Sequence, residues 1–320
     1  MRKLAVYVGF MNDTYRAQID AVAAELGFTV DYYDSNTPVE PDYSEYEVIF
    51  GHAAPHLLKN AQNLRWLCSD FAGIEKYLDE SIWPHPGCLL SNGSGAYGPA
   101  ISEHIVMALL MLVRRMPEYQ ADLAQRQWTV HMPIRSVIGS KVVMIGTGDI
   151  GSNVARRLKA LGASVTGVCR SGKSDEPAFD RVVPISKLDS VLSGVDAVIM
   201  AVPATKETVG ILSRERIALL SPDAFVINVG RGTAIDQEAL VEALQNRKIA
   251  GAALDVMVPE PLPEDHPLWS CPNTIITPHL SGNMSLGLTC DLDVEMFLAD
   301  FRRYAAGVPL KNLVDRARGY

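Results

Sequence analysis

Residues 141–151, K-V-V-M-I-G-T-G-D-I-G, run a strand pattern straight into Gly146, Gly148 and Gly151. Glycines at that spacing are common in turns, so the constraint comes from what surrounds them. Val154, Ala155, Leu158 and Leu161 follow at helical spacing, and a second apolar run, Ser164 to Cys169, lies about twenty residues on. In such a strand–turn–helix unit Gly146 permits the tight turn, Gly148 lets a pyrophosphate approach the backbone, and Gly151 lets helix pack on strand. The helix N-terminus adds unpaired N–H groups and partial positive charge. This segment predicts a dinucleotide cradle within an open parallel sheet.

The remaining chain fits that frame. At about 150 residues per domain, 320 residues suggest two domains. From Lys141 onward strands are predicted at Val142–Ile145, Ser164–Cys169, Val195–Val202, Ala224–Asn228, Ala250–Asp255 and Thr274–Thr277, a doubly wound series. The first ninety residues alternate likewise: strands at Leu4–Val8, Phe28–Tyr32, Val48–Phe50 and Arg65–Cys68, with helical faces through Ala17 to Leu26 and Leu57 to Ala61. The fold class expected is α/β, with a flavodoxin-like domain and a Rossmann domain, both with parallel sheets. The turn-rich stretch S-N-G-S-G-A-Y-G-P, residues 91–99, reads as the linker between them. Pro99 suits the first turn of a helix carrying Ile101, Ile105, Ala108, Leu109 and Leu112, and Pro117 is expected to end or kink it.

Composition excludes several function classes. The 29 Lys and Arg against 37 Asp and Glu leave a net charge of −8 with no basic stripe, which disfavours nucleic acid and anionic membrane as partners. Met1–Phe10 carries a basic pair and an apolar run, but too short and without a cleavage site for a signal peptide. No apolar stretch reaches about 18 residues, so no membrane span is expected. Cys68, Cys88, Cys169, Cys271 and Cys290 are odd in number and form no C-x-x-C pair; they read as reduced thiols of a cytoplasmic protein. No histidine pair has metal-ligand spacing with a further carboxylate, so no metal is expected.

Three later strands end in polar residues: V-I-N-V-G-R-G at Arg231, A-A-L-D-V-M-V-P-E at Asp255 and Glu260, and I-I-T-P-H at His279. Taken singly, each has an ordinary structural reading as surface charge, loop or capped ring. Open parallel sheets bind ligands beyond the carboxyl ends of their strands, so the set is expected to converge. His52 and His56 also follow a strand end on the expected cleft side; His104 reads as structural, and His85, His131 and His266 as surface or loop.

The glycine fingerprint, A-V-P-A-T-K-E-T-V-G from Ala201, N-V-G-R-G around Arg231, A-L-D-V through Glu260 to P-L-P, and T-P-H at His279 together resemble the D-isomer-specific 2-hydroxyacid dehydrogenase family, over nearly the whole chain. The resemblance implies a dinucleotide-binding domain at 98–283 and a substrate domain from 1–97 with 284–320, joined by a helix near Leu286–Tyr304. It implies that His279 is the acid/base on the keto oxygen, that Glu260 orients the ring and favours its acid form, and that Arg231 binds the substrate carboxylate. Ala72 and Gly73, in S-D-F-A-G-I-E, match the family's substrate loop, whose backbone N–H groups take the carboxylate too; Phe71 either walls the pocket or packs into the domain. Cofactor contacts fall to Gly146, Gly148, Asp149, Ile150, Gly151, Val202, Pro203, Val229 and Asp255. The implied activity is NAD(P)-dependent reduction of a small 2-keto acid to the D-2-hydroxy acid, by a homodimer that includes the helix from about Pro99 to Arg115.

At the end of the second strand, Cys169 stands where a carboxylate would bind the ribose hydroxyls of NAD(H). Arg170, Ser171 and Lys173 follow, either as ordinary surface residues or as a 2′-phosphate site. NADP(H) is therefore the expected preference, with NAD(H) possible. Two alternatives share these motifs: reduction of glyoxylate and hydroxypyruvate specifically, and a dinucleotide-sensing corepressor, although such corepressors usually carry long extra tails.

Overall fold

The computed structural model describes residues 2–37 and 41–320. The chain forms two compact units. One comprises the residues up to Tyr97 together with Asn283–Tyr320, and the other Gly98–Gly282.

The first unit is built on β1 (Arg2–Tyr7), β2 (Phe28–Tyr33), β3 (Val48–Gly51), β4 (Trp66–Cys68) and β5 (Leu89–Ser91). They pair in parallel in the order β2-β1-β3-β4-β5, the flavodoxin-like winding. Side chains alternate between two cores. Leu4, Val6, Val48, Phe50 and Trp66 enter one, while Ala5, Tyr7, Ile49 and Leu67 enter the other with Tyr43, Leu58 and Tyr77. Because both faces are covered, the strands read as continuous apolar runs rather than alternating ones.

The helix Asp13–Leu26 covers the first face. The Asn12 side chain accepts from the Tyr15 amide at 2.9 Å at its start, and Gly27, at φ 75°, closes it in the left-handed region. The late helix Gly287–Ala305 packs on the same face. Phe297 stacks on Phe50 at 4.1 Å between centroids and on Trp66 at 5.6 Å, with Phe301 at 5.3 Å.

The second unit contains β6 (Lys141–Ile145), β7 (Ser164–Cys169), β8 (Arg181–Pro184), β9 (Ala197–Met200), β10 (Phe225–Asn228), β11 (Gly251–Leu254) and β12 (Thr274–Ile276). All pairs are parallel, in the order β12-β11-β10-β9-β6-β7-β8. This is the Rossmann winding with one strand added, and the order reverses between β6 and β9.

The helix Gly98–Val113 packs on the helix Asp149–Ala160 so closely that a Cβ at Gly98 would lie 2.3 Å from Asp149 Oδ1. Pro117 does not end it. The break comes earlier, at Arg115 in the left-handed region with φ 59°, and Pro117 opens a second helix, Met116–Gln125, where its missing N–H costs nothing. No helix of the described residues is long and apolar enough to cross a membrane.

Phe297 is 1% exposed. Its truncation to alanine is expected to destabilise the first unit by about 3–5 kcal/mol, the usual cost of emptying a large aromatic site. Urea unfolding of Phe297→Ala followed by tryptophan fluorescence checks this; a loss below about 1 kcal/mol would show that the late helix contributes little to that core.

Candidate active site

The loops at the carboxyl edge of the second sheet approach one another through glycine. Gly146, at φ 103°, ends β6, and a Cβ there would lie 2.4 Å from the Ala201 carbonyl oxygen beyond β9. A Cβ on Gly151 would lie 2.0 Å from the Gly146 carbonyl oxygen, so helix and turn touch backbone to backbone. Gly148 differs: its φ of −76° suits any residue, and among the described residues nothing lies within 4 Å of a Cβ built there. The fold does not demand glycine at 148, whereas a ligand lying against the backbone would. Gly148 caps the helix without a side chain, and the Ile150 and Gly151 amides donate to no acceptor among the described residues. These features fit a dinucleotide pyrophosphate. Asp149 begins that helix and its Oδ1 accepts from Asn153 Nδ2 at 3.0 Å.

Val202 and Val229 follow β9 and β10 with buried side chains, while Pro203 is exposed. The Thr208 hydroxyl donates to the Pro203 carbonyl at 2.5 Å and accepts from the Thr205 amide at 2.8 Å, folding that loop; sequence reasoning missed this residue. At the end of β7, Cys169 is partly exposed and Arg170 and Ser171 are exposed. Ser171 Oγ donates to the Lys173 carbonyl at 3.2 Å in a turn around Gly172. Burial pushes the Cys169 thiol up, but hydrogen bonding from Ser171, Thr147 and the Lys173 and Gly172 backbone leaves its pKa lowered overall.

Arg231 stands between two further close approaches. A Cβ on Gly230 would lie 2.6 Å from the Val202 carbonyl oxygen, and one on Gly232 2.3 Å from that of Met257. Asn228 braces the turn, its Nδ2 donating to the Arg231 carbonyl at 2.9 Å and its Oδ1 accepting from the Gly230 amide at 3.1 Å. The Arg231 guanidinium donates from Nη1 to the Gly230 carbonyl at 2.7 Å.

His279 and Glu260 meet as expected. His279 Nδ1 lies 2.8 Å from Glu260 Oε2, and Glu260 Oε1 accepts from the Met257 amide at 3.0 Å, so the carboxylate is itself held. His279 adopts φ 53°, and its side chain remains half exposed. Its Nε2 has no partner among the described residues.

Asp255 is 1% exposed and organises the His279 loop. Its Oδ1 accepts from Thr277 Oγ1 at 2.5 Å and the Leu280 amide at 2.9 Å, and its Oδ2 from the Ser281 amide at 3.0 Å. Burial pushes its proton affinity up, yet the bonds from Ser281, Thr277 and Leu280 outweigh that and hold its pKa below the ordinary value. His104 Nε2 lies 3.5 Å from the Thr277 hydroxyl, and burial keeps its pKa low, the structural role expected of it.

In the first unit, Ala72 and Gly73 follow β4. Their amides donate to no acceptor among the described residues, although the Ala72 carbonyl accepts from Asn92 Nδ2 at 2.9 Å. Phe71 is 39% exposed and sets its ring edge on His52 with 4.8 Å between centroids, so it lines this loop rather than filling the core.

The sequence profile of the D-isomer specific 2-hydroxyacid dehydrogenase NAD-binding domain matches residues 106–281. Glyoxylate/hydroxypyruvate reductase A of Yersinia enterocolitica is 31% identical over 78% of this chain and 79% of its own length. A D-isomer specific 2-hydroxyacid dehydrogenase family protein of Aeromonas salmonicida superposes with a TM-score of 0.84 at 34% identity, covering 98% of this chain and 99% of that one. The D-isomer specific 2-hydroxyacid dehydrogenase of Xanthobacter autotrophicus, solved with NADPH and MES, gives 0.84 at 26% identity over 100% and 99%. With its glycine cradle, its arginine turn and its carboxylate-braced histidine, the chain belongs to the D-isomer specific 2-hydroxyacid dehydrogenase family.

Proposed function

We propose that this protein reduces small 2-keto acids to D-2-hydroxy acids with a nicotinamide dinucleotide, and catalyses the reverse oxidation. The observation that carries this reading is His279, braced at Nδ1 by Glu260 and open at Nε2. The Gly146–Gly151 turn and the first amides of the following helix would hold the dinucleotide, which when bound would supply or accept a hydride. His279 donates its Nε2 proton to the substrate oxygen in reduction and takes it back in oxidation. Glu260 keeps the ring oriented through Nδ1 in both directions. Arg231 offers its planar donor fork to the substrate carboxylate, and the Ala72 and Gly73 amides of the first unit are donors of the same kind. Asp255 acts on the loop that carries His279. Glyoxylate and hydroxypyruvate are the first substrates to test, since the Yersinia relative is named for them.

The cofactor reading is a preference for NADP(H). No carboxylate ends β7, and Arg170 and Ser171 are exposed beside it. The Xanthobacter neighbour holds NADPH. A charge-assisted bond to a 2′-phosphate contributes about 1.5–3 kcal/mol, or tenfold and upward.

The assembly reading is a homodimer. Ile101, Ile105, Leu109 and Leu112 of the helix Gly98–Val113 are buried within their own unit, which leaves Met107 and Leu110 of that helix exposed. The exposed apolar series continues through Met116, Leu123, Trp128, Val130, Met132, Ile134 and Ile138, with Trp128 fully exposed. A series of that size suits a second copy better than water. All five cysteines are free thiols, in keeping with a reducing cytoplasm.

His279→Ala is expected to lower turnover about 10²-fold to 10⁴-fold while dinucleotide affinity changes little. Steady-state kinetics with titration of bound NADPH checks it, and more than half the native rate would favour the sensing alternative. Gly148→Ala should leave stability within about 0.5 kcal/mol and weaken NADPH binding about tenfold or more, whereas Gly146→Ala should destabilise the fold itself through its left-handed φ and the Ala201 contact. Equal NADPH affinity in Gly148→Ala would move the pyrophosphate elsewhere. Comparing kcat/KM for NADPH and NADH in the native protein and Arg170→Ala tests the phosphate site: native preference for NADH would end that reading. Light scattering should give twice 34.9 kDa, and Trp128→Glu should shift the mass toward one copy; a native monomer at micromolar concentration would refute the dimer.

A further inference from the structure

Lys76 lies in the short 3-10 turn Glu75–Tyr77 that follows β4, three residues beyond Gly73, and its side chain is half-buried. Its Nζ is 2.6 Å from His52 Nε2, and no carboxylate lies within ion-pair distance among the described residues. His52 follows β3 by one residue, so both groups stand at the carboxyl edge of the first sheet, where open α/β sheets bind ligands. Burial and the neighbouring ammonium hold the His52 pKa down to about 4, which makes the ring a neutral acceptor near neutral pH. Among the described residues, the carboxylate coupled to Lys76 is Asp70, which is 3% exposed and pushed up to about 7 by burial, so it is a partial counter-charge.

Burial also lowers the Lys76 pKa to about 8, so near neutral pH the ammonium is mostly charged and Asp70 offsets part of that charge. Lys76 packs over the Tyr77 ring at 4.7 Å, but a methionine would pack there without desolvating an ammonium. His52 takes one of the three ammonium donors and fixes its direction, leaving two for a ligand. Phe71 links this pair to the loop that presents the Ala72 and Gly73 amides.

We propose that Lys76 binds a second carboxylate at the far end of the substrate, so that the preferred substrates are 2-keto dicarboxylates. This inference rests on the keto-acid reductase reading above and names its substrate class. Within the first unit, the Ala72 and Gly73 amides are donors for the carboxylate common to all 2-keto acids; Lys76 discriminates among them by what the other end carries. One charge-assisted bond to a partly desolvated carboxylate corresponds to about ten- to a hundredfold in kcat/KM.

The test is kcat/KM with NADPH for oxaloacetate and for 2-oxobutyrate, equal in chain length and differing in the second charge, in the native protein, Lys76→Met and Lys76→Arg. The phosphate ester of hydroxypyruvate forms a third arm that separates carboxylate from phosphate. The expected result is a native preference for oxaloacetate of at least tenfold, a fall of that ratio by tenfold or more in Lys76→Met, and its partial retention in Lys76→Arg. An equal or inverted native ratio, a ratio unmoved by Lys76→Met, or a stronger preference for the phosphate ester would overturn the proposal. Reduction of 2-oxobutyrate or glyoxylate without that preference would overturn it alone and leave the reductase reading standing. Absence of turnover with every keto acid would overturn both.

Discussion

A buried aspartate holds the chemistry of the second unit in place. Asp255 could not remain ionised at 1% exposure without donors, and the chain provides three from the segment Thr277–Ser281. Its backbone takes part as well, the Asp255 carbonyl accepting from the His279 amide at 2.9 Å. Together these bonds tie the end of β12 to the end of β11 and hold His279 in the left-handed region, where Nδ1 reaches Glu260. Removing the carboxylate would strand two amides and a hydroxyl and release the loop, so a change at 255 would reach His279 without touching it.

The glycines act in the same way on backbone distances. Gly146 against Ala201, Gly230 against Val202 and Gly232 against Met257 let the loops after β6, β9, β10 and β11 lie closer than side chains would allow. The strand order reverses between β6 and β9, and a crevice opens at that point in such sheets. Gly148 stands apart because its surroundings are open, so the packing of the described residues does not itself require glycine there.

Much of this was legible in the sequence, for identifiable reasons. Buried parallel strands are unbroken apolar runs, so β1, β3, β6, β9 and β10 stand out, and polar residues just past them mark the carboxyl edge. β5 escaped because Leu89–Ser91 runs into the turn-rich S-N-G segment, and β8 because Arg181–Pro184 is a short edge strand beginning with a charge and ending in proline. The helix Met116–Gln125 was hidden by Pro117, which reads as a stop although proline is equally at home in a first turn. The environment of Lys76 was not legible at all. It depends on His52, 24 residues earlier on another strand end, and no local pattern encodes that distance. At Asp255 the sequence likewise shows a polar residue at a strand end, not the donors that enclose it.

The whole protein carries a net charge of −8, yet every ligand argued for it is an anion. The two facts are compatible because charges beyond about 8 Å are screened at physiological ionic strength, so affinity depends on the groups that touch the ligand. In the second unit the groups proposed for this are the first amides of the helix Asp149–Ala160 and the Arg231 fork; in the first they are the Ala72 and Gly73 amides and the Lys76 ammonium. Several of these are backbone donors, which carry no formal charge and leave the composition acidic. The acidic residues pair elsewhere, as Glu176 does with Arg156 and Glu242 with Arg214, or lie buried under hydrogen bonds, as Asp255 does. An acidic chain can thus bind dinucleotides and keto acids, provided a few cationic side chains and backbone amides are gathered at the carboxyl edges of its sheets.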